Sequence, residues 1–189
     1  MTPLAPTVTA GFDISVRRVG VALMLGDTPL GCDAKAINLS DRDWSWQGII
    51  GAIRALTWAA GVPEVRPDEV WIEKPALPYK SGVDQAFNAG RALQVCWTAT
   101  AMLGWPAPEL LVPAEWKRRA GVATRKGATR ADVIAAVPAG PWPVARELKA
   151  PEYLRAIDLG FDPEGHQDAA DAALVAVAGR HKSLERSNA

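Results

Sequence analysis

The sequence predicts a single α/β domain over residues 1–189. Its centre is a mixed five-stranded sheet, an antiparallel meander followed by parallel strands, with helices on both faces. Three observations carry this expectation. The first forty residues hold three strand-length apolar segments separated by turn signals. Two more short apolar segments, near 70–73 and 110–112, each follow a stretch with helical periodicity. A chain of 189 residues with 49% hydrophobic and 22% charged side chains suits one compact unit with a real core.

Residues 8–15 read as a buried strand, and Val19 to Leu25 as its antiparallel partner after the turn at Ser15-Val16-Arg17-Arg18. Gly26-Asp27-Thr28 is a second turn signal. Leu30, Cys32, Ala34 and Ala36 then alternate with Gly31, Asp33 and Lys35, the pattern of a half-exposed third strand. Ile49, Ile53, Leu56 and Ala60 recur at helical spacing until Gly61-Val62-Pro63 ends the run. Residues 70–73 are apolar enough for a central strand, and Pro75 and Pro78 force a loop after it.

A long helix is predicted from Val83 to Leu103, with Ala86, Ala89, Gly90, Leu93 and Trp97 forming a stripe suited to close packing. Leu110-Leu111-Val112 is the fifth strand, and Pro113 opens a short helix ending near Arg119. Thr129-Arg130-Ala131-Asp132 resembles a capping box and opens a helix over 130–137. The stretch 138–165 carries Pro138, Pro141, Pro143, Pro151 and Pro163 and is expected to be a surface excursion. Asp168 opens an almost wholly apolar last helix, and 181–189 is expected to be a frayed tail.

Lys plus Arg (21) balance Asp plus Glu (21), so net charge alone names no partner. The distribution is uneven: Lys117, Arg118, Arg119, Arg125, Lys126 and Arg130 cluster with no acid among them, as a phosphate-binding face would. Cys32 and Cys96 have no CxxC or Cys/His spacing, which argues against zinc and for reduced core thiols. The N-terminus lacks a basic start, and no apolar run approaches about 18 residues. A cytoplasmic protein without membrane partners is the expectation.

Asp13, Glu73, Asp168 and Asp171 are the informative residues, because each stands where an apolar element should hold a hydrocarbon side chain. Taken singly each has an ordinary reading. Asp13 suits a strand-end turn, Glu73 a surface pair with Lys74, and Asp168 and Asp171 a helix start favoured by the helix dipole. Jointly, acids on two apolar strands and a late helix would repel unless cations lay between them. Oxygen-only donors suit Mg²⁺, with Mn²⁺ able to substitute. Two such ions roughly 3.5–4 Å apart are the arrangement for in-line phosphoryl displacement.

Ala10-Gly11-Phe12-Asp13-Ile14-Ser15 followed by Val19-Gly20-Val21-Ala22 resembles the opening of the ribonuclease H-like superfamily. Trp71-Ile72-Glu73-Lys74-Pro75 resembles the second acidic strand of the RuvC-type Holliday junction resolvases, and His166-Gln167-Asp168-Ala169-Ala170-Asp171-Ala172 is similar to their closing acidic helix. The ordered set covers most of the chain. The resemblance implies a ribonuclease H-like fold and a homodimeric, Mg²⁺-dependent endonuclease. It would nick opposed strands of a four-way DNA junction and leave 5′-phosphate and 3′-hydroxyl ends. Asp13, Glu73, Asp168 and Asp171 would be the metal ligands. Lys126 looks like the family's lysine near the scissile phosphate, with Arg125 or Arg130 as alternatives.

One departure stands out. The family's aromatic wedge, three residues past the second acid, is Ala76 here, which leaves Tyr79 or Leu77 to stack at the junction centre. The same fold also admits a nuclease acting on RNA or on RNA/DNA hybrids. A sugar-kinase or actin-like ATPase fragment shares the opening pattern, but the chain is short for two lobes and has no later Gly-rich phosphate loop.

Overall fold

The computed structural model describes residues 7–15, 18–36, 46–59, 61, 65–75, 82–137 and 148–188. Its strands are β1 (Val8–Ile14), β2 (Arg18–Leu25), β3 (Thr28–Ala36), β4 (Glu69–Glu73) and β5 (Glu109–Leu111). Its helices are α1 (Trp46–Ala59), α2 (Val83–Met102), α3 (Pro113–Arg119), α4 (Arg130–Ala136), α5 (Ala150–Asp158) and α6 (Gln167–Ser187), with a 3-10 turn at Val122–Arg125. The sheet order is β3-β2-β1-β4-β5. β1, β2 and β3 form the antiparallel meander, and β4 runs parallel to both β1 and β5. The mixed five-stranded α/β sheet expected from the sequence is the one observed.

Side-chain alternation divides the core in two. Ala10, Phe12, Ile14, Val21, Leu23, Val70 and Ile72 point to one face, where Ile49 and Ile53 of α1 and Val95 and Cys96 of α2 cover them. Ala22, Met24 and Trp71 point to the other face and meet α6, with α3 and α5 packed outside it. Because α6 is covered on both sides, it is apolar around its whole circumference from Ala169 to Gly179, Asp171 excepted.

The seat of α6 on the sheet is unusually close. A Cβ at Gly11 would lie 2.4 Å from the Ala172 carbonyl oxygen, and one at Gly20 only 1.8 Å from that of Asp168. Glycine on the strands and alanine on the helix let backbone meet backbone here. Gly20 lies directly opposite Asp13 in the β1–β2 register, so this contact brings the start of α6 to the end of β1 that carries the acid.

Two expectations need correction. The Pro-rich stretch 138–165 is not a surface excursion throughout, because it contains α5, whose Ala150, Glu152, Tyr153, Leu154 and Ala156 are buried. Pro151 occupies the first turn, where no backbone donor is required. The Tyr153 hydroxyl accepts a hydrogen bond from the Gly165 N–H at 2.8 Å. Residues 138–147 lie outside the described residues. The tail from His181 is helical as far as Ser187. Ion pairs Lys182–Glu115 (3.1 Å), Arg119–Glu185 (2.7 Å) and Arg186–Glu109 (2.8 Å) tie it to α3 and β5. Both cysteines are free and buried. Among the described residues no helix is long and apolar enough to cross a membrane.

Candidate active site

Asp13 is the penultimate residue of β1, and Glu73 the last of β4. The parallel register pairs Gly11 with Trp71 and Phe12 with Ile72, so the next step sets Asp13 beside Glu73. Gly11 and Trp71 both face α6, and two residues on, Asp13 and Glu73 face it too. The two carboxyls are close enough to shift one another, the charge of Glu73 raising Asp13. Asp168 lies in the first turn of α6, and Asp171, 2% exposed, lies one turn further.

The four acids feel one another. Burial, then the charges of Glu73, Asp171 and Asp168, raise Asp13 well above the ordinary carboxyl range. Burial and Asp171 raise Glu73, while Lys149 and the hydrogen bond to Asp13 pull it back. Burial raises Asp171 as well, partly offset by Lys149 and Gln167. Lys149 stands at the N-cap of α5 and donates from Nζ to Asp171 Oδ2 at 3.0 Å. Burial works against its charge, but Asp171, Asp13 and Glu73 hold its pKa above the usual lysine value. Gln167 Nε2 donates to the other Asp171 oxygen at 2.8 Å.

As the side chains stand, no group of three or more His, Cys, Asp or Glu among the described residues forms a ready metal cage. Part of the charge is compensated by the chain itself, through Lys149 on Asp171. The donor chemistry nevertheless fits a hard divalent cation. All the donors are carboxylate oxygens, and three are pushed toward protonation by burial, reinforced at Asp13 and Glu73 by neighbouring site acids, a strain that a bound cation would relieve.

The basic stretch is not a free cationic face. Lys117 pairs with the buried Glu152 at 2.8 Å. Arg119 is held by Glu115 at 3.1 Å and by Glu185. Arg125 Nε donates to Asp158 Oδ2 at 2.6 Å, and a second Arg125 nitrogen bonds the other Asp158 oxygen. Arg118, Lys126 and Arg130 are exposed. Lys126 caps the 3-10 turn, whereas the lysine on the acids is Lys149, which sequence reasoning missed. Gln167 was missed too, although its place four residues before Asp171 on one helix is a readable signal. His166 is the N-cap of α6, with Nδ1 3.4 Å from Arg18. Ala76, Leu77 and Tyr79 lie outside the described residues.

No family model and no curated protein matches this sequence. Solved structures do match the fold. RuvC of Thermus thermophilus in complex with a Holliday junction substrate is 16% identical, with a TM-score of 0.55 over 95% of this chain and 96% of that one. A second structure of T. thermophilus RuvC is likewise 16% identical, with a TM-score of 0.55 over 95% and 97% of the two chains. The yeast mitochondrial Holliday junction resolvase Ydc2 is 11% identical, with a TM-score of 0.46 over 99% of this chain and 83% of its own. The chain has a RuvC-like fold of the ribonuclease H-like class.

Proposed function

We propose that this protein is a divalent-metal-dependent endodeoxyribonuclease that resolves four-way DNA junctions, leaving 5′-phosphate and 3′-hydroxyl ends. One observation carries the reading: Asp13 and Glu73, on adjacent parallel strands, share one face of the sheet beneath the acidic start of α6. The RuvC-like fold supports the same choice of substrate. Asp13, Glu73, Asp168 and Asp171 would hold two Mg²⁺ ions. Bound there, the ions supply Lewis-acid stabilisation of the phosphate and lower the pKa of the attacking water.

The chain's own residues do the rest. Lys149 sits on Asp171, and its ammonium is available to the negative charge of the phosphate. Arg118, Lys126 and Arg130 contact the DNA backbone further out, which makes binding salt-dependent.

The expected homodimer would form across α2. Val83, Phe87 and Trp97 (86%, 63% and 45% exposed) lie on one stripe with Gly90, opposite the buried Ala92, Val95 and Ala99. Ala89 and Leu93, part of the stripe that the sequence marked for close packing, are half-buried.

The test is cleavage of a mobile four-way junction, beside an RNA/DNA hybrid, with Mg²⁺ or Mn²⁺. The wild type is expected to make paired nicks in the junction. Asp13→Asn should bind it with similar affinity and cut it at least about 10³-fold more slowly. Binding without cutting by the wild type, or preferential cutting of the hybrid, rejects the proposal.

A further inference from the structure

Around Asp171 three hydrogen bonds close a ring. The Lys149 backbone N–H donates to Gln167 Oε1 at 2.7 Å. Gln167 Nε2 donates to Asp171 Oδ1 at 2.8 Å. Lys149 Nζ donates to Asp171 Oδ2 at 3.0 Å. The two ends of the Gln167 carboxamide are therefore fixed by their partners: the oxygen must meet the N–H, and the NH₂ must meet the carboxylate. Lys149 needs such a tether. It is the residue before α5, and its side chain is 55% exposed. A long, flexible ammonium arm that exposed would sample many rotamers if its backbone were not anchored.

We propose that Gln167 is a positioning residue whose carboxamide ties the Lys149 backbone to α6 and so holds the Lys149 ammonium on the acidic site. Gln167 itself need touch neither substrate nor ion. One end orients Asp171 along the helix at i, i+4, and the other fixes the point from which the lysine side chain starts. The ring couples the α5 and α6 layers where Lys149 meets the acids. Its catalytic consequence rests on the nuclease reading above, whereas the bracket does not.

Gln167→Met keeps chain length and helix propensity but can neither donate nor accept strongly. The first measurement is made on the metal-free full chain: the ¹H–¹⁵N NMR signal of the Lys149 ammonium, identified by its loss in Lys149→Arg. An ion-paired ammonium held in place gives a protected resonance. In Gln167→Met that resonance is expected to broaden into exchange with water, and an unchanged resonance overturns the proposal.

The second measurement is single-turnover cleavage of a four-way junction, with junction affinity read separately in Ca²⁺. Gln167→Met is expected to cut about tenfold more slowly with affinity within about twofold. If Gln167 acts through Lys149, the double variant with Lys149→Ala cuts no more slowly than Lys149→Ala alone. Multiplying effects overturn the proposal. The ammonium signal decides the bracket, and cleavage by the wild type separately decides the reading it would serve.

Discussion

On the α1/α2 face the sheet offers Phe12, Val21, Leu23 and Ile72 to Ile49, Ile53 and Val95. On the α6 face it offers Gly11, Gly20 and Ala22 to an alanine-rich helix. The first face stabilises by buried hydrocarbon, at about 25 cal/mol per Å² of apolar area. The second gives up side-chain volume for proximity, and the gain is geometric: the helix backbone comes close enough for its aspartates to reach β1. One sheet thus combines a face built for stability with a face built to bring like charges together.

Truncation should separate the two faces. Leu23, fully buried on the α1/α2 face, sits opposite Ala10, three positions along β1 from Asp13. Leu23→Ala is expected to cost about 2–5 kcal/mol in urea unfolding. Junction cleavage per folded molecule should stay within about twofold of wild type. A loss of cleavage as large as the loss of stability would mean that the faces are not independent.

Gly20→Ala makes the opposite trade. The added methyl would start 1.8 Å from the Asp168 carbonyl oxygen, and both atoms belong to rigid backbone, so α6 must move. Overpacking of this kind costs about 1–3 kcal/mol. The same shift carries Asp168 and Asp171 away from Asp13, and an ångström of displacement in a site can cost about 10²-fold in rate. Cleavage should therefore fall further than for Leu23→Ala although less stability is lost. Unfolding and cleavage measured side by side decide it, and near-normal cleavage in Gly20→Ala would detach the close helix seat from the chemistry.

The two faces also differed in how far the sequence revealed them. The apolar runs around Asp13 and Glu73 already marked both as acids on buried strands, and the apolar surroundings of Asp168 and Asp171 marked their helix; the side-by-side register of β1 and β4 came from the fold. Lys149 and Gln167 were not found. Lys149 sits at the edge of a stretch whose prolines outweighed the helical run Tyr153, Leu154, Ala156, Ile157, although Pro151 was itself a helix-start signal. Lys117, Arg119 and Arg125 read as part of a free surface because their partners Glu152, Glu185 and Asp158 come from α5 and α6, distant in sequence. Local composition carries no record of such pairings. The α6 tail looked frayed for the same reason, since Glu115 and Glu109 anchor it from other elements.

The smallest expected effect is a pH dependence confined to the α6 face. In the metal-free protein burial holds Asp13, Glu73 and Asp171 above the ordinary carboxyl range, reinforced at Asp13 and Glu73 by neighbouring site acids. Between the unfolded carboxyl values, about 4, and these raised values, the folded chain binds more protons than the unfolded chain, so stability falls as pH rises through the window. The carboxyls held low by partners, Glu115, Asp132, Asp158 and Glu185, act in the other direction but only as pH drops below about 4. The metal-free protein should therefore melt a few degrees higher at about pH 5.5 than at about pH 7.5. Asp13→Asn leaves both histidines in place and removes the most strongly raised acid. It should flatten this profile and raise the melting temperature near neutral pH. Mg²⁺ binding to the folded state should then stabilise the wild type at neutral pH and the variant much less. A wild type that grows more stable from about pH 5.5 to 7.5, or an Asp13→Asn variant that melts lower than wild type, would mean that the acids at the end of β1 and β4 are not strained against one another.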